Sequence, residues 1–399
     1  MKQADVVVVG GGPAGCAAAL AAAGGGARVV LVDEQPDLGG HLRWRVAPIH
    51  GLEADLDGLP GVRVAAALAG RVAAAGVEVA RGSVAWGLFE DNVVGVVEGE
   101  NAYTLHAASV IVATGSTDRV LPFPGWTLPG VMTARAAQLF LHVHRVLPGR
   151  RVVVVGDGPE ADEVANDIAV AGAEVVARVP GAAGLEAGGH REVEAVEVDG
   201  QVYAADTIVL ALGRLPDPEL ALQARVETVF DEAAGAHVPR RDEHLTTSQP
   251  GLYVVGEAAG IVSVAEAMAE GRLAGLAAAG APAGDIAAAR EALEGLRTAT
   301  PGDRALPVIT TDVPVCLCRC EEVTLAAVRQ AIAEGATTLD DVKRRTRAGM
   351  GICQGIYCLP AVAALLRDEA GVPAEEIVPM TARPPARAIP LSALTMLEE

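Results

Sequence analysis

Four of the six cysteines of the chain form two close pairs near its C-terminus. The first pair is Cys318-x-Cys320, and 32 residues separate it from the second pair, Cys353-x4-Cys358. Two close pairs of thiolates can supply four ligands to one compact metal centre. The pairs of a zinc ribbon are more often Cys-x-x-Cys, whereas four thiolates also suit a [2Fe–2S] cluster. The spacing therefore favours a [2Fe–2S] site on these four cysteines, with zinc as the alternative.

The other two cysteines need a separate interpretation. Cys316 extends the first pair to Cys-x-Cys-x-Cys, so it competes as a ligand. The sequence Arg-Cys-Glu-Glu around Cys320 favours Cys318 and Cys320 over it. Cys16 stands alone in a predicted helix and is most simply a small core residue. Clustered cysteines in a reducing compartment indicate a metal site rather than disulfides.

A glycine-rich turn near the N-terminus has the spacing of a dinucleotide-binding loop. Gly10-x-Gly12-x-x-Gly15 follows a buried strand and opens a helix. The first glycine makes the tight turn, the second lets backbone N–H groups reach a pyrophosphate, and the third lets helix and strand pack. The helix N-terminus adds positive potential for the phosphates. We therefore expect nucleotide contacts from Gly10, Gly12, Pro13, Ala14 and Gly15.

An acidic residue should follow the next strand, where it would accept hydrogen bonds from an adenosine ribose. Counting forward from Gly10 points to Asp33. Counting back from the Gly39-Gly40 pair points to Glu34. Both acids therefore stay candidates.

A second glycine motif, Gly156-x-Gly158-x-x-Ala161, repeats the pattern and suggests an NAD(P) site. The strand that follows it ends at Arg178-Val179 with no acid for a ribose, although Arg178 could meet a 2′-phosphate. Only a short Gly- and Ala-rich stretch, 180–191, separates this strand from the next hairpin, too little for a further crossover. We therefore predict an abbreviated second domain and leave NAD(P) binding open.

Composition excludes several classes of function. The 399 residues include 31 Lys plus Arg against 51 Asp plus Glu, a net charge of -20, which argues against binding nucleic acid or an anionic membrane surface. Apolar residues make up 51%, so wholesale disorder is excluded. The uncharged stretch 6–27 is interrupted by glycines and a proline, and is better explained as strand, turn and helix than as a membrane span or export signal. We expect a cytoplasmic protein.

The residue pattern between the motifs predicts the elements that position them. Residues 77–107 alternate apolar and polar types with glycine turns, which predicts an antiparallel meander. Residues 110–113 predict a separate buried strand, and 133–147 a helix.

Four segments together resemble the flavoprotein disulfide-reductase-like superfamily with two dinucleotide domains. They are 10–15, 32–41, 113–115 and 251–257, in matching order over about 280 residues. The resemblance implies FAD in the first domain, with further contacts from Gly40, His41, Ala113, Thr114, Gly115, Gly256 and Glu257. Glu257 stands where that family has Asp, which keeps the charge and lengthens the side chain. No Cys pair occurs before residue 300, so disulfide reduction is excluded.

The cysteine-containing segment is similar to the helical domain of bacterioferritin-associated ferredoxin. With the flavin domain and the ending 383–391, the whole chain resembles the larger (alpha) subunit of heteromeric amine and imino-acid dehydrogenases. That family includes opine oxidase, hydrogen cyanide synthase, hydroxyproline dehydrogenase and sarcosine-oxidase-like groups. The resemblance implies that the partner is a smaller flavin-containing catalytic (beta) subunit. It also allows FMN at a subunit interface and a small ferredoxin-like subunit.

We therefore predict an α/β fold with two Rossmann-like dinucleotide-binding domains, the second abbreviated, and a small helical [2Fe–2S] domain. The predicted FAD-binding domain comprises 1–115 and 230–282, and the NAD(P)-binding-like domain 116–229. A linker 283–312, the [2Fe–2S]-binding domain 313–372 and a tail 373–399 follow.

No acid–base or nucleophile set is visible in the sequence, so catalysis on the substrate is expected elsewhere. The predicted function is an electron-transfer flavoprotein and iron–sulfur subunit of a dehydrogenase that oxidises an amino acid, imino acid or opine. One alternative is a self-contained NAD(P)H:acceptor oxidoreductase. The other is a non-catalytic subunit that holds a structural nucleotide such as ATP.

Overall fold

The computed structural model describes residues 2–297 and 313–395. The strands in chain order are β1 (Lys2–Val9), β2 (Val29–Asp33), β3 (Glu78–Arg81), β4 (Ser83–Phe89), β5 (Val93–Glu98), β6 (Asn101–Val112), β7 (Ser116–Asp118), β8 (Val131–Thr133), β9 (Arg151–Val155), β10 (Glu174–Val179), β11 (Glu186–Gly188), β12 (Ala195–Val198), β13 (Gln201–Tyr203), β14 (Thr207–Leu210), β15 (Arg214–Pro216), β16 (Thr228–Asp231), β17 (Ala236–Pro239), β18 (Leu252–Val254), β19 (Cys316–Cys318) and β20 (Val323–Thr324). The helices are α1 (Pro13–Gly24), α2 (Gly61–Ala74), α3 (Ala134–Leu139), α4 (Pro159–Val170), α5 (Glu219–Gln223), α6 (Val264–Ala278), α7 (Ala283–Leu296), α8 (Leu325–Ala333), α9 (Leu339–Thr346), α10 (Leu359–Ala370) and α11 (Leu391–Leu394). Short 3-10 helices cover Gly40–Trp44, Glu90–Asn92, Gly256–Ala258 and Ala374–Glu376.

The described residues form two compact units. The first unit contains 2–116, 215–297 and 381–395, and the second contains 117–214 and 313–380. This division differs from the predicted domains at several places. Residues 215–229 of the predicted NAD(P)-binding-like domain belong to the first unit, and the predicted [2Fe–2S]-binding domain is part of the second unit. The predicted linker begins with helix α7, whose Ala289 and Leu293 are buried in the core of the first unit. The last residues of the predicted tail also belong to the first unit. The rest of that linker, 298–312, lies outside the described residues.

The first unit is built on a seven-stranded sheet in the order β3-β2-β1-β6-β5-β4, with β18 also paired to β6. Strands β1, β2, β3, β6 and β18 run parallel, whereas β4, β5 and β6 form an antiparallel meander. The prediction of a separate strand at 110–113 was wrong, because β6 continues without a break from the meander into the parallel layer. Its residues 101–106 pair with β5 and its residues 110–112 pair with β18. The carboxyl ends of β1, β6 and β18 therefore meet at one edge, where ligands of such sheets bind.

The second unit contains a four-stranded parallel sheet in the order β10-β9-β14-β8. Between β10 and β14 the chain makes only the small antiparallel sheet β11-β12-β13. All residues of that interval are described, and none of them forms a further parallel strand or crossover helix, in agreement with the predicted abbreviation. The predicted helix 133–147 is shorter than expected: α3 ends at Leu139, a π-helical turn follows at Phe140–His144, and Arg145 ends it with φ 57°.

The cysteine-containing part of the second unit consists of the hairpin β19-β20 and helices α8, α9 and α10. Its apolar residues share one core with those of the preceding sheet region. That core includes Val120, Leu121, Phe123, Trp126, Leu317, Val328, Leu365 and Leu366. The cysteine loops are therefore anchored to a packed surface of the second unit rather than carried on an isolated appendage.

None of the helices within the described parts of the chain combines the length and the apolar character that crossing a bilayer requires.

Candidate functional site

The sulfur atoms of the two cysteine pairs, which lie far apart in the sequence, come together in the second unit. The Cys320 Sγ lies 3.9 Å from the Cys318 Sγ and 3.7 Å from the Cys353 Sγ. The Cys358 thiol is hydrogen-bonded to that of Cys318. Two thiolates bound to one tetrahedral metal at about 2.3 Å would lie about 3.8 Å apart, so these separations fit ligands of a shared metal centre. These are the four cysteines that the spacing favoured, and we call them the cysteine cluster.

The cluster has a buried and an exposed side. Cys318 and Cys358 are each 1% exposed, whereas Cys320 is on the surface. Burial, together with the neighbouring sulfurs, raises the pKa of the Cys320 thiol to about 11 and raises the pKa of Cys358 as well. Cys320 and Cys358 therefore resist ionising unless a cation compensates their charge, as a bound metal does.

Local backbone structure explains how the two cysteine pairs approach. The hairpin β19-β20 aligns Cys318 with Val323, and Cys320 lies in its turn. The second pair belongs to the loop 349–358 between α9 and α10. A Cβ on Gly351 would lie 2.3 Å from the Cys320 Sγ, so only glycine permits this approach. Cys358 is the N-cap of α10, where the helix dipole favours a negative charge.

The competing ligand Cys316 makes a different contact. Its thiol donates a hydrogen bond to the Cys318 carbonyl oxygen at 3.6 Å rather than joining the other sulfurs. The Trp126 indole N–H donates to the Cys316 carbonyl oxygen at 2.5 Å, which holds this strand against the sheet region of the second unit. The geometry therefore favours Cys318 over Cys316 as a ligand.

The basic residues that precede the second pair are engaged by neighbours in the second unit. Arg347 forms an ion pair with Glu321 at 2.8 Å, and Arg345 donates to the Glu334 carbonyl oxygen at 3.1 Å. Arg344 lies 3.7 Å from Asp341. Arg347 and Arg344 are therefore each paired with an acid, which weakens their influence on a bound cluster, whereas Arg345 contacts a neutral carbonyl group.

The glycine loop of the first unit has the geometry expected for a dinucleotide site. Gly10 has φ 103°, and a Cβ there would lie 2.3 Å from the Ala113 carbonyl oxygen. A Cβ on Gly15 would lie 1.8 Å from the Gly10 carbonyl oxygen. A Cβ on Gly12, by contrast, would meet nothing within 4 Å, so the space above the start of α1 is open. The first turn of α1 contains no acidic residue, which suits a bound pyrophosphate.

The two candidate ribose acids have different environments. The Asp33 carboxylate is 8% exposed and accepts hydrogen bonds from the backbone N–H of Gly11 at 2.5 Å and of Gln35 at 2.7 Å. Burial raises the pKa of Asp33, while these amides partly offset the effect. Asp33 thus fixes the glycine loop, whereas Glu34 has a 52% exposed side chain that is able to reach a ligand.

The remaining predicted contact residues converge on the same edge of the sheet. A Cβ on Gly40 would lie 3.0 Å from the Gly12 Cα, and one on Gly256 would lie 2.9 Å from the Ala14 Cβ. The Glu257 carboxylate accepts a hydrogen bond from Ser116 at 2.7 Å and lies 3.9 Å from His41 Nδ1. Thr114 Oγ1 donates to the Asp217 carbonyl oxygen at 2.6 Å. The predicted contact residues therefore border one region, and a Cβ on Gly12 or Gly115 would meet nothing within 4 Å there.

Glu270 and Arg241 are among the residues that sequence reasoning missed and that support this region. Glu270, 1% exposed, accepts hydrogen bonds from the Gly256 N–H at 2.7 Å and from Arg241 at 2.9 Å. Arg241 also donates to the Val254 carbonyl oxygen at 3.0 Å. The acids Glu266 and Glu270 among the small apolar residues of α6 were the available signal, but the sequence does not identify Arg241 as the partner of Glu270.

The second glycine turn repeats the close approach of the first glycine to a neighbouring strand but not the electrostatics of the first turn. A Cβ on Gly156 would lie 2.1 Å from the Ala211 carbonyl oxygen, and a Cβ on Gly10 would lie 2.3 Å from that of Ala113. Unlike α1, helix α4 has Glu160 and Asp162 in its first turn, which disfavours a pyrophosphate. Arg178 pairs with Asp162 at 2.5 Å instead of facing an open phosphate site.

Two families match the parts of the chain that contain these residues. The chain matches the family described as Pyridine nucleotide-disulphide oxidoreductase over residues 4–181 and 177–271. Residues 316–368 match the BFD-like [2Fe-2S] binding domain. These matches confirm the predicted fold class and the prediction of FAD and a [2Fe–2S] cluster as cofactors. The chain is a flavin-dependent oxidoreductase.

Individual relatives match over most of the chain. An opine oxidase subunit of Rhizobium meliloti is 30% identical, with 94% of each chain covered. Hydrogen cyanide synthase subunit HcnB of Pseudomonas aeruginosa is 28% identical over 75% of this chain and 78% of the relative. The crystal structure of L-proline dehydrogenase from P. horikoshii superposes with a TM-score of 0.87 at 29% identity, covering 98% of this chain and 79% of that one. The chain therefore belongs to the pyridine nucleotide-disulphide oxidoreductase family, in a group with a C-terminal BFD-like [2Fe-2S] domain that includes this opine oxidase subunit.

Proposed function

We propose that this chain is the electron-transfer subunit of a heteromeric dehydrogenase that oxidises an amino acid, imino acid or opine. The substrate would be oxidised at the flavin of a smaller partner subunit, and its electrons would leave through this chain. The proposal includes a cytoplasmic location, where the cysteine thiols stay reduced until metal binds. Relatives named as subunits of opine oxidase and of hydrogen cyanide synthase support the heteromeric assembly.

The observation that carries the proposal is the convergence of Cys318, Cys320, Cys353 and Cys358. The same chain also binds FAD. A [2Fe–2S] cluster on these thiolates would pass electrons one at a time from a two-electron donor to an acceptor. The exposed position of Cys320 brings one edge of such a cluster to the protein surface. Ile352, beside Cys353, is 86% exposed, and Met350 and Tyr357 of the same loop are also exposed, so we propose that this edge offers a partner an apolar contact.

The residues around the glycine loop support binding rather than substrate chemistry. Among the described residues there, Asp33 is held by two amides and Glu257 is held by Ser116. These residues can fix the glycine loop and accept hydrogen bonds from the hydroxyl groups of a nucleotide.

The proposal is tested on protein purified anaerobically with whatever partner accompanies it. We expect two irons and two acid-labile sulfides for each chain, together with flavin absorption at about 450 nm. The complex should reduce a dye with amino acids, imino acids or opines, whereas the separated chain should not. A colourless chain with stoichiometric zinc would refute the relay. Adenosine phosphate without flavin in the first unit would instead support a structural nucleotide.

A second candidate, direct oxidation of NAD(P)H, has one observation in its favour. The Gly156 turn approaches Ala211 as closely as the Gly10 turn approaches Ala113. The acidic start of α4 and the Arg178–Asp162 pair count against it. Anaerobic addition of NADH or NADPH to the separated chain distinguishes the two functions, because only the second candidate bleaches the bound flavin.

A further inference from the structure

The C-terminal segment 381–395 packs on the first unit, beyond the part of the chain that matches either family. The Ala386 N–H donates to the Trp86 carbonyl oxygen at 2.7 Å, and the Ala393 side chain is fully buried beside Trp86. Between these two anchors lies Arg387, whose side chain is 32% exposed. The segment thus brings one arginine to a fixed place on the dinucleotide-binding unit.

Arg387 lies between two parts of the predicted dinucleotide site. Its guanidinium forms an ion pair with the Asp217 carboxylate, and its Nε lies 3.8 Å from Glu34 Oε2. Asp217 is in turn fixed to the loop after β6, because its N–H donates to the Gly115 carbonyl oxygen at 3.0 Å and its own carbonyl accepts from Thr114. Arg387 therefore connects the loop after β6 with the acid after β2.

This connection matters because Glu34 is the more exposed of the two acids and is therefore better placed to meet a ribose. Asp33 already accepts two backbone hydrogen bonds, as described above. Glu34 has a long, 52% exposed side chain that samples several rotamers in water. A guanidinium at 3.8 Å restricts those rotamers, and the strong Asp217 pair leaves the Glu34 carboxylate oxygens able to accept from a ligand.

We propose that Arg387 is a positioning residue that holds the Glu34 carboxylate in place for the ribose hydroxyls of an adenosine diphosphate group. The inference rests on the FAD site of the proposed function. The ordering of Glu34 is completed before the nucleotide binds, so less entropy is lost on binding. The C-terminal segment thereby acquires a role in nucleotide selection.

The test compares two probes on the full-length chain from which bound nucleotide has been removed. ADP carries both ribose hydroxyls, whereas 2′,3′-dideoxy-ADP lacks them, and calorimetric titration gives a Kd for each. One charge-assisted hydrogen bond corresponds to a preference of about tenfold or more for ADP in the unchanged chain. We expect Glu34→Ala to abolish this preference and Arg387→Ala to reduce it to about threefold or less, with little effect on the dideoxy probe.

Two further variants separate positioning from folding. Arg387→Lys should restore part of the preference, since it keeps a cation near both carboxylates. Arg383→Ala, an exposed arginine of the same segment, should bind both probes like the unchanged chain.

Equal weakening of both probes in Arg387→Ala would show a merely structural role and overturn the inference. A fully retained preference would overturn it as well. If the unchanged chain bound neither ADP nor FAD, the proposed flavin site would be refuted together with this inference. Equal weakening or a fully retained preference would refute only the role of Arg387.

Discussion

Gly351 lies directly against the Cys320 thiol, so that a Cβ on residue 351 would be 2.3 Å from the Cys320 Sγ. An alanine there must displace either the thiol or the loop that carries Cys353. We expect Gly351→Ala to reduce the iron and acid-labile sulfide bound per chain to less than about half. The reason is that metal-ligand geometry tolerates only small displacements. Iron assay and visible absorption of anaerobically reconstituted protein measure the effect.

Gly181→Ala provides the matched control, because residue 181 is exposed in the same unit and a Cβ there would meet nothing within 4 Å. Its iron content should equal that of the unchanged chain. Full iron content in Gly351→Ala would show that the cysteine loops adapt, and that their close approach is not required for cluster binding.

Cys318 and Cys316 should differ sharply in their importance for binding the cluster. Cys318→Ser removes a buried sulfur of the cysteine cluster and should abolish the [2Fe–2S] absorption. Cys316→Ser removes a thiol that is hydrogen-bonded to a carbonyl oxygen, and should leave that absorption unchanged. Electron paramagnetic resonance of the reduced protein provides the second readout. Loss of the signal in Cys316→Ser with retention in Cys318→Ser would reverse our assignment.

Cys16 should be chemically inert despite its place beside the dinucleotide loop. Burial, with a smaller contribution from Asp33, raises the pKa of the Cys16 thiol to about 12. At pH 8 the thiolate fraction is therefore about one in ten thousand, and only the thiolate reacts with alkylating reagents. We expect no carboxamidomethyl label on Cys16 in the native chain at pH 8, and complete labelling in denaturant, as measured by mass spectrometry. Rapid native labelling would contradict the buried, protonated thiol.

Much of both sites could be predicted because local sequence encodes them. Glycine spacing after a buried strand specifies a turn that no side chain tolerates, as Gly10 and Gly15 illustrate. The cysteine pairs are likewise short-range signals, and only their convergence had to be inferred. The choice between Asp33 and Glu34 could not be made from counting, since it depends on which carboxylate the backbone amides of Gly11 and Gln35 already occupy.

The residues that sequence reasoning missed act over long separations. Ser116 meets Glu257 across 141 positions, and Arg387 meets Asp217 across 170. Nothing in the local pattern of either segment indicates such a partner. The continuity of β6 was also missed. Its first part pairs with β5 and has the alternating pattern of a meander, whereas its last part pairs with β18 and is buried.

Glu270 should contribute more to stability than any exposed acid of the first unit. It is 1% exposed and accepts hydrogen bonds from Arg241 and from the Gly256 N–H. Glu270→Gln removes the carboxylate that pairs directly with the 16% exposed Arg241, so we expect the free energy of unfolding to fall by about 3 kcal/mol. Urea denaturation of the nucleotide-free chain measures the change, and Glu291→Gln on the exposed face of α7 should have no effect.

The double variant Glu270→Gln with Arg241→Met decides whether the ion pair causes this loss. Removing both charges eliminates the unpaired guanidinium, so the double variant should be more stable than the sum of the two single changes predicts. Additive losses would instead assign the effect of Glu270 to its hydrogen bond with Gly256. In that case the affinity for ADP should fall in both variants that lack Glu270, because Gly256 and the adjoining Glu257 would no longer be held beside α1.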